Sequence, residues 1–246
     1  MTPRHYPLIA MVVAALGCET GPTTETLPPP CVQSDTLTIS DLVLEMETDL
    51  GTVRGVDLDD RASDAANRRG CYHEDWEDPD GSSVDNGFAT LGPTIEAAYP
   101  MDPRSIFESD SLVLDVGGRG DGVCAAVSVT LGEGPRRTAE WNGSTLRAYH
   151  LGDVPLRLTL PEASSGTVVL RDAAVRITLT AEGRIATVVL SGAVEIDELV
   201  PVAADSTIGF DASLIRTTLE GVADLEPNER GLCTRISVAF DAATRT

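Results

Sequence analysis

Lysine is absent from this chain of 246 residues; all 18 basic residues are arginine, set against 39 carboxylates, for a formal charge of −21. A GC-rich genome accounts for arginine in place of lysine, and that replacement carries no chemistry by itself. The net charge does, because a field of that sign repels nucleic acid and anionic membrane surfaces and gathers cations. Histidine is also scarce, at three residues. Only His73 and His150 lie beyond the first segment, and neither stands in a serine or cysteine nucleophile signature, so nucleophilic catalysis has no support. No CxxC occurs among the five cysteines, which removes the usual basis for a thiolate zinc site. Aromatic residues make up 4% of the chain, leaving Trp76 and Trp141 as the rare rings available to stack on a sugar. The glycines from Gly117 to Gly122 lead into a strand pattern and not a helix, so they form no dinucleotide fingerprint. No apolar run is long enough to cross a bilayer.

The apolar run that does occur, YPLIAMVVAALG after the charged start MTPRH, reads as a secretory leader covering residues 1–17. It ends in Ala15-Leu16-Gly17-Cys18, which resembles the lipobox of bacterial lipoproteins, with Ala15 where leucine is commoner. That resemblance implies that Cys18 is lipidated and becomes the new N-terminus, anchored by several acyl chains. An ordinary leader cut nearby is the alternative. Residues 18–30, rich in threonine and proline, form a tether. Residues 31–246 are expected to form a single mainly-β domain. An exported chain with Cys31, Cys71, Cys124 and Cys233 beyond the tether points to two disulfides, with three connectivities open.

The β expectation rests on period-two segments separated by turn formers. They are Thr36 to Met46, bent near Asp41, then SLVLDV from Ser111, VCAAVSVTL from Val123, VPLRLTL from Val154, TVVLRDAAVRITLT from Thr167 and RIATVVLSG from Arg184. In the fourteen-residue segment, Val169, Ala173, Val175, Ile177 and Leu179 share one face, and Asp172, Arg176, Thr178 and Thr180 the other. This predicts an antiparallel sheet wet on one side, with Glu182-Gly183 closing a hairpin. Val84, Phe88, Leu91, Ile95 and Ala98 recur at spacings of four and three, predicting a helix capped by Ser83 and kinked or broken at Pro93. Two shorter helices are expected at Ile196 to Ala204, with Pro201 arguing for a loop, and at Ala212 to Glu220, with Asp211 as cap and Gly221 as stop. The fold class is therefore an antiparallel sandwich-like domain with two or three short helices packed at its edge. An echo joins Gly122-Val123-Cys124 with Val127-Ser128-Val129 to Gly231-Leu232-Cys233 with Ile236-Ser237-Val238. If those strands are neighbours, it favours bridges Cys124 to Cys233 and Cys31 to Cys71.

The densest chemistry lies between Asp57 and Asp85, where ten carboxylates meet three arginines. Hard cations such as calcium take six to eight oxygens from carboxylates, carbonyls and water, and acidic loops with glycine and asparagine supply them. Asp57, Asp59, Asp78, Asp80, Asp85 and Asn86 are the expected ligands, with Asp60 and Asp75 next. Asp78-Pro79-Asp80-Gly81 matches the core of calcium loops, but Ser82 and the missing terminal glutamate depart from the EF-hand pattern. The plainer alternative is a solvated acidic surface whose Asp80 and Asp85 serve a helix N-terminus. A second acidic spot, Asp224 to Glu229, reads as a turn.

Cys18, the Asp57-Leu58-Asp59 step, Cys71 with Asp78-Pro79-Asp80-Gly81 and Val84-Asp85-Asn86, and the closing Ala223-Asp224-Leu225 with Cys233 and Ile236-Ser237-Val238 resemble a group of exported lipoproteins of GC-rich, myxobacteria-like genomes. Thr234 stands where such chains tend to have aspartate. The resemblance implies a cell-envelope lipoprotein on the periplasmic or outer surface, held to the membrane by its lipid anchor. Its expected role is non-enzymatic binding or structure, stabilised by calcium, with a glycan or an envelope protein as partner and no nucleic acid. The alternative is hydrolysis of envelope polysaccharide by paired carboxylates.

Overall fold

The structure is a computed structural model that describes residues 37–39, 42–46, 53–59, 76–77, 83–98, 106–109, 112–118, 127–142, 145–160, 165–180, 185–205 and 211–244. In chain order the elements are β1 (Leu37–Ile39), β2 (Leu42–Met46), β3 (Trp76–Glu77), β4 (Ser83–Val84), a 3-10 turn (Gly87–Leu91) and α1 (Gly92–Ala98). Next come β5 (Phe107–Glu108), β6 (Leu114–Gly118), β7 (Val127–Leu131), β8 (Arg137–Thr138), β9 (Glu140–Asn142), β10 (Thr145–Ala148) and β11 (Val154–Leu158). The last are β12 (Gly166–Leu179), β13 (Ile185–Glu195), α2 (Ile196–Ala204), α3 (Ala212–Glu220), β14 (Leu225–Pro227) and β15 (Cys233–Thr244). Every strand pairing among the described residues is antiparallel. The fold is mainly β and sandwich-like, with three short helices. None of the described helices is long and apolar enough to cross a membrane.

The larger sheet has nine strands and runs β14-β15-β13-β12-β10-β9, with β2 also on β15, and β11 joining β12 to β5. The smaller has the order β1-β6-β7-β8. The bent first strand is thus two strands in different sheets. β1 pairs with β6, and β2 pairs with the end of β15.

Long β-branched runs on β12, β13 and β15 build the centre of the core, because alternate residues align across paired strands. Ala148, Val175, Leu190 and Phe240 form one such row across four strands, all nearly inaccessible. The opposite face departs from the expectation of a wet side. Arg147, Arg176, Val189 and Asp241 form the next row, and Arg176 retains only 6% exposure. Burial pulls its guanidinium below its ordinary value, and the nearby Arg54 charge acts in the same direction.

The register of β12 also corrects the expected faces. Pairing with β13 shifts between Arg171 and Ala174, where Asp172 has φ of +50°. Such a bulge inserts an extra residue and exchanges the two faces. Upstream of it Val168 and Leu170 are buried and Val169 is half-buried, the reverse of the simple alternation. Gly192 of β13 sits opposite the bulge; a Cβ there would meet Leu170 Cγ at 2.6 Å and the Arg171 carbonyl at 2.9 Å.

The helix expected from Ser83 begins later. Ser83 and Val84 pair as a strand with Glu77 and Trp76. The turn after them is capped by Asn86, whose side chain accepts from Ala89 N. Pro93 does not interrupt the helix, because it is the second residue of α1, within the first turn, where no intrahelical donor is required. The later helices fall on their expected bounds. Asp211 caps α3 through Ser213 N at 2.7 Å, and Gly221 closes it. Pro201 is carried inside α2 with an exposed ring.

Candidate metal centre

Two backbone segments come together beneath the acidic stretch. Asp85 N donates to the Val56 carbonyl at 3.2 Å, an isolated antiparallel bridge. Gly55 permits the approach, since a Cβ there would lie 2.8 Å from the Asp85 carbonyl oxygen. Asn86 fastens the same seam from its side chain, donating through Nδ2 to the Arg54 carbonyl at 3.0 Å while Oδ1 caps the following turn. Arg54 in turn reaches Asp241 of β15 at 3.3 Å. Gly87 N donates to Ser237 Oγ at 2.6 Å, and the Ser237 hydroxyl donates to the buried Asp224 carboxylate. Asp224 also accepts from Ser237 N at 2.8 Å. The loop carrying Asp85 is therefore fixed through the two residues that follow it, Asn86 to the Arg54 segment and Gly87 to β15.

Zipping residues 53–59 against residues 84–86 places the carboxylates of Asp57, Asp59 and Asp85 so that one oxygen from each lies within 4.8 Å of the others. Asp85 is buried at 5% exposure and accepts from Leu58 N through Oδ2 at 2.6 Å; Asp57 and Asp59 are half-buried. Calcium–oxygen distances of about 2.3–2.6 Å allow ligand oxygens on one ion to sit that far apart. A hard cation bound there would offset the mutual repulsion of three clustered carboxylates. Three ligands are fewer than calcium takes, so backbone carbonyls and water would complete the shell.

Of the six expected ligands, three meet and a fourth, Asn86, sits next to them with its carboxamide engaged in the seam. Asp78 and Asp80 lie outside the described residues, as do Asp60, Asp75 and His73. The same holds for Cys18, Cys31, Cys71 and Cys124. Cys233 is buried. The echo strands β7 and β15 belong to different sheets, so the two are not the strand neighbours that would favour a bridge from Cys124 to Cys233.

The second acidic spot is structural. Asp224 braces β15, Glu226 pairs with Arg235, and a turn closes from Asn228 N to the Leu232 carbonyl at 2.8 Å. His150 is exposed and paired through Nδ1 with Asp172 at 2.8 Å. The clamp made by Gly55, Asn86, Ser237 and Asp224 is not readable from spacing, because each contact joins residues far apart in sequence; the Asp85-Asn86-Gly87 run is its only local mark.

No protein-family model, curated protein or solved structure matches this chain. The functional reading therefore rests on these residues.

Proposed function

We propose that the protein is a lipid-anchored module of a bacterial cell envelope, with a non-enzymatic binding or structural role and an acidic loop stabilised by calcium. The meeting of Asp57, Asp59 and Asp85 carries the calcium part. They come from segments 26 residues and more apart, and folding brings their charges together around a buried carboxylate. An ion bound only to the folded state would stabilise it by RT ln(1 + [L]/Kd), about 2.7 kcal/mol at a hundredfold excess over Kd. Extracellular modules bind calcium at roughly 10⁻⁴ to 10⁻³ M, a range set by the outside of a cell.

The address follows from the leader and Cys18, and a disulfide at Cys233 would suit an oxidising compartment. With Cys31, Cys71 and Cys124, Cys233 would make two disulfides, their connectivity open. The envelope partner is a glycan or another envelope protein. Melting the protein in millimolar calcium and in chelator tests the ion, and detergent phase partition of wild type against Cys18→Ser tests the anchor. A calcium-independent melting temperature, or wild type in the aqueous phase, overturns the corresponding half.

A further inference from the structure

Five segments distant in sequence line a half-open cavity of about 340 Å³ between the large sheet and the helices. Its floor is buried: Phe88 from the 3-10 turn, Ile106, Leu158 and Leu160 around β11, Leu199 of α2 and Leu219 of α3. Its rim is exposed, formed by Thr94 of α1 with Leu214 and Thr218 of α3, and Leu214 keeps 54% exposure. No charged side chain lines it. The Thr218 hydroxyl donates to its own helix at the Leu214 carbonyl, 3.0 Å away, so it turns no donor inward.

These features select an occupant. Apolar cavities of about 150 Å³ stay dry and take up hydrocarbon, and this one is larger and of the size of ligand pockets, about 300–1,000 Å³. Its walls are aliphatic apart from Phe88 and give a charged or hydroxylated ligand nothing to bind deep inside. An unbranched hydrocarbon chain is the ligand class that such walls accept without leaving a buried polar group unpaired. We infer that this cavity is a binding site for one aliphatic chain, inserted between α3 and β11 with its polar end left in water at the Thr94 and Thr218 rim. The inference is independent of the calcium proposal, since none of the three clustered carboxylates lines the cavity.

Titrating the purified full chain with octanoate, decanoate and dodecanoate below their micelle concentrations, in calcium and in chelator, tests this. Burial of the chain predicts affinity rising about fourfold for each added methylene, with acetate not binding in either buffer. Ala203, half-buried on the cavity wall, provides a filling variant: Ala203→Phe should abolish dodecanoate binding. Leu214→Asp changes an exposed rim residue, keeps the fold and should weaken dodecanoate several-fold. Absence of dodecanoate binding, an affinity that does not grow with chain length, or wild-type affinity in a folded Ala203→Phe overturns the assignment. If Ala203→Phe does not fold, wild-type affinity in Leu214→Asp overturns it.

Discussion

Asp85 accepts the Leu58 N–H through Oδ2 at 2.6 Å, a bond that ties the loop carrying Asp57 and Asp59 to a carboxylate at 5% exposure. Removing the acceptor leaves a donor without its partner, which costs about 1–3 kcal/mol where the donor stays dry. Asp85→Ala should therefore lower stability by that amount even in chelator, while Asp85→Asn, which keeps an acceptor oxygen, should lose less. Urea denaturation of the three proteins in chelator checks the order.

Asn86 should matter for stability rather than for ion affinity alone. Its side chain bonds the Arg54 carbonyl and caps the turn at Ala89. Cap removal by itself costs about 0.5–2 kcal/mol, and Asn86→Ala also strands the Arg54 carbonyl. A calcium-independent loss of about 1–3 kcal/mol in denaturant is expected, against little change for the exposed Thr90→Ala.

Three rings bind the turn beside the site to the sheet. Phe107 lies edge-on to Phe88 at 5.5 Å between centroids and to Phe240 at 5.2 Å. Phe107, at 2% exposure, is the middle of that chain. Phe107→Ala should cost about 3–5 kcal/mol, and Phe107→Leu markedly less. Thermal unfolding of both variants gives the comparison.

Acid should loosen two surface features before the core. The Ser213 hydroxyl and N–H hold the Asp211 carboxyl below its ordinary value, and the Asp172 N–H, with Arg171, does the same for Asp153. A depressed carboxyl contributes stability above its unfolded value of about 3.9, and that contribution is lost as pH falls through the lower folded value. Carboxyl-carbon NMR should give midpoints for both below the usual aspartate value. Midpoints at or above it would contradict the caps.

Much of the fold was legible where a local signal and the tertiary need agreed. The spacing of Ile215, Leu219 and Val222, the cap at Asp211 and the stop at Gly221 place α3 on its observed bounds. Legibility failed where one residue reset a period. Asp172 at positive φ inserts a bulge that exchanges the faces of β12, and Asn86 caps a turn three residues after the expected start. Burial of Arg176 was not legible either, since it depends on what covers the sheet and not on alternation along the strand. For the candidate site, the density of acids singled out a stretch in which Asp57, Asp59 and Asp85 come together. The pairing of Val56 with Asp85 decides which three carboxylates meet, and nothing local encodes that contact. The cavity is invisible in sequence for the same reason, being assembled from Phe88, Leu158, Leu199 and Leu219 on separate segments.

Calcium binding by the full chain, followed by calorimetric titration, tests the central claim most directly. Wild type should bind calcium with Kd of roughly 10⁻⁴ to 10⁻³ M. Asp57→Asn and Asp59→Asn, at half-buried positions, should each weaken it at least tenfold without unfolding the protein, and magnesium should compete poorly. No saturable heat with calcium, or equal affinity in wild type and both variants, would contradict the assignment of Asp57, Asp59 and Asp85 as a calcium centre.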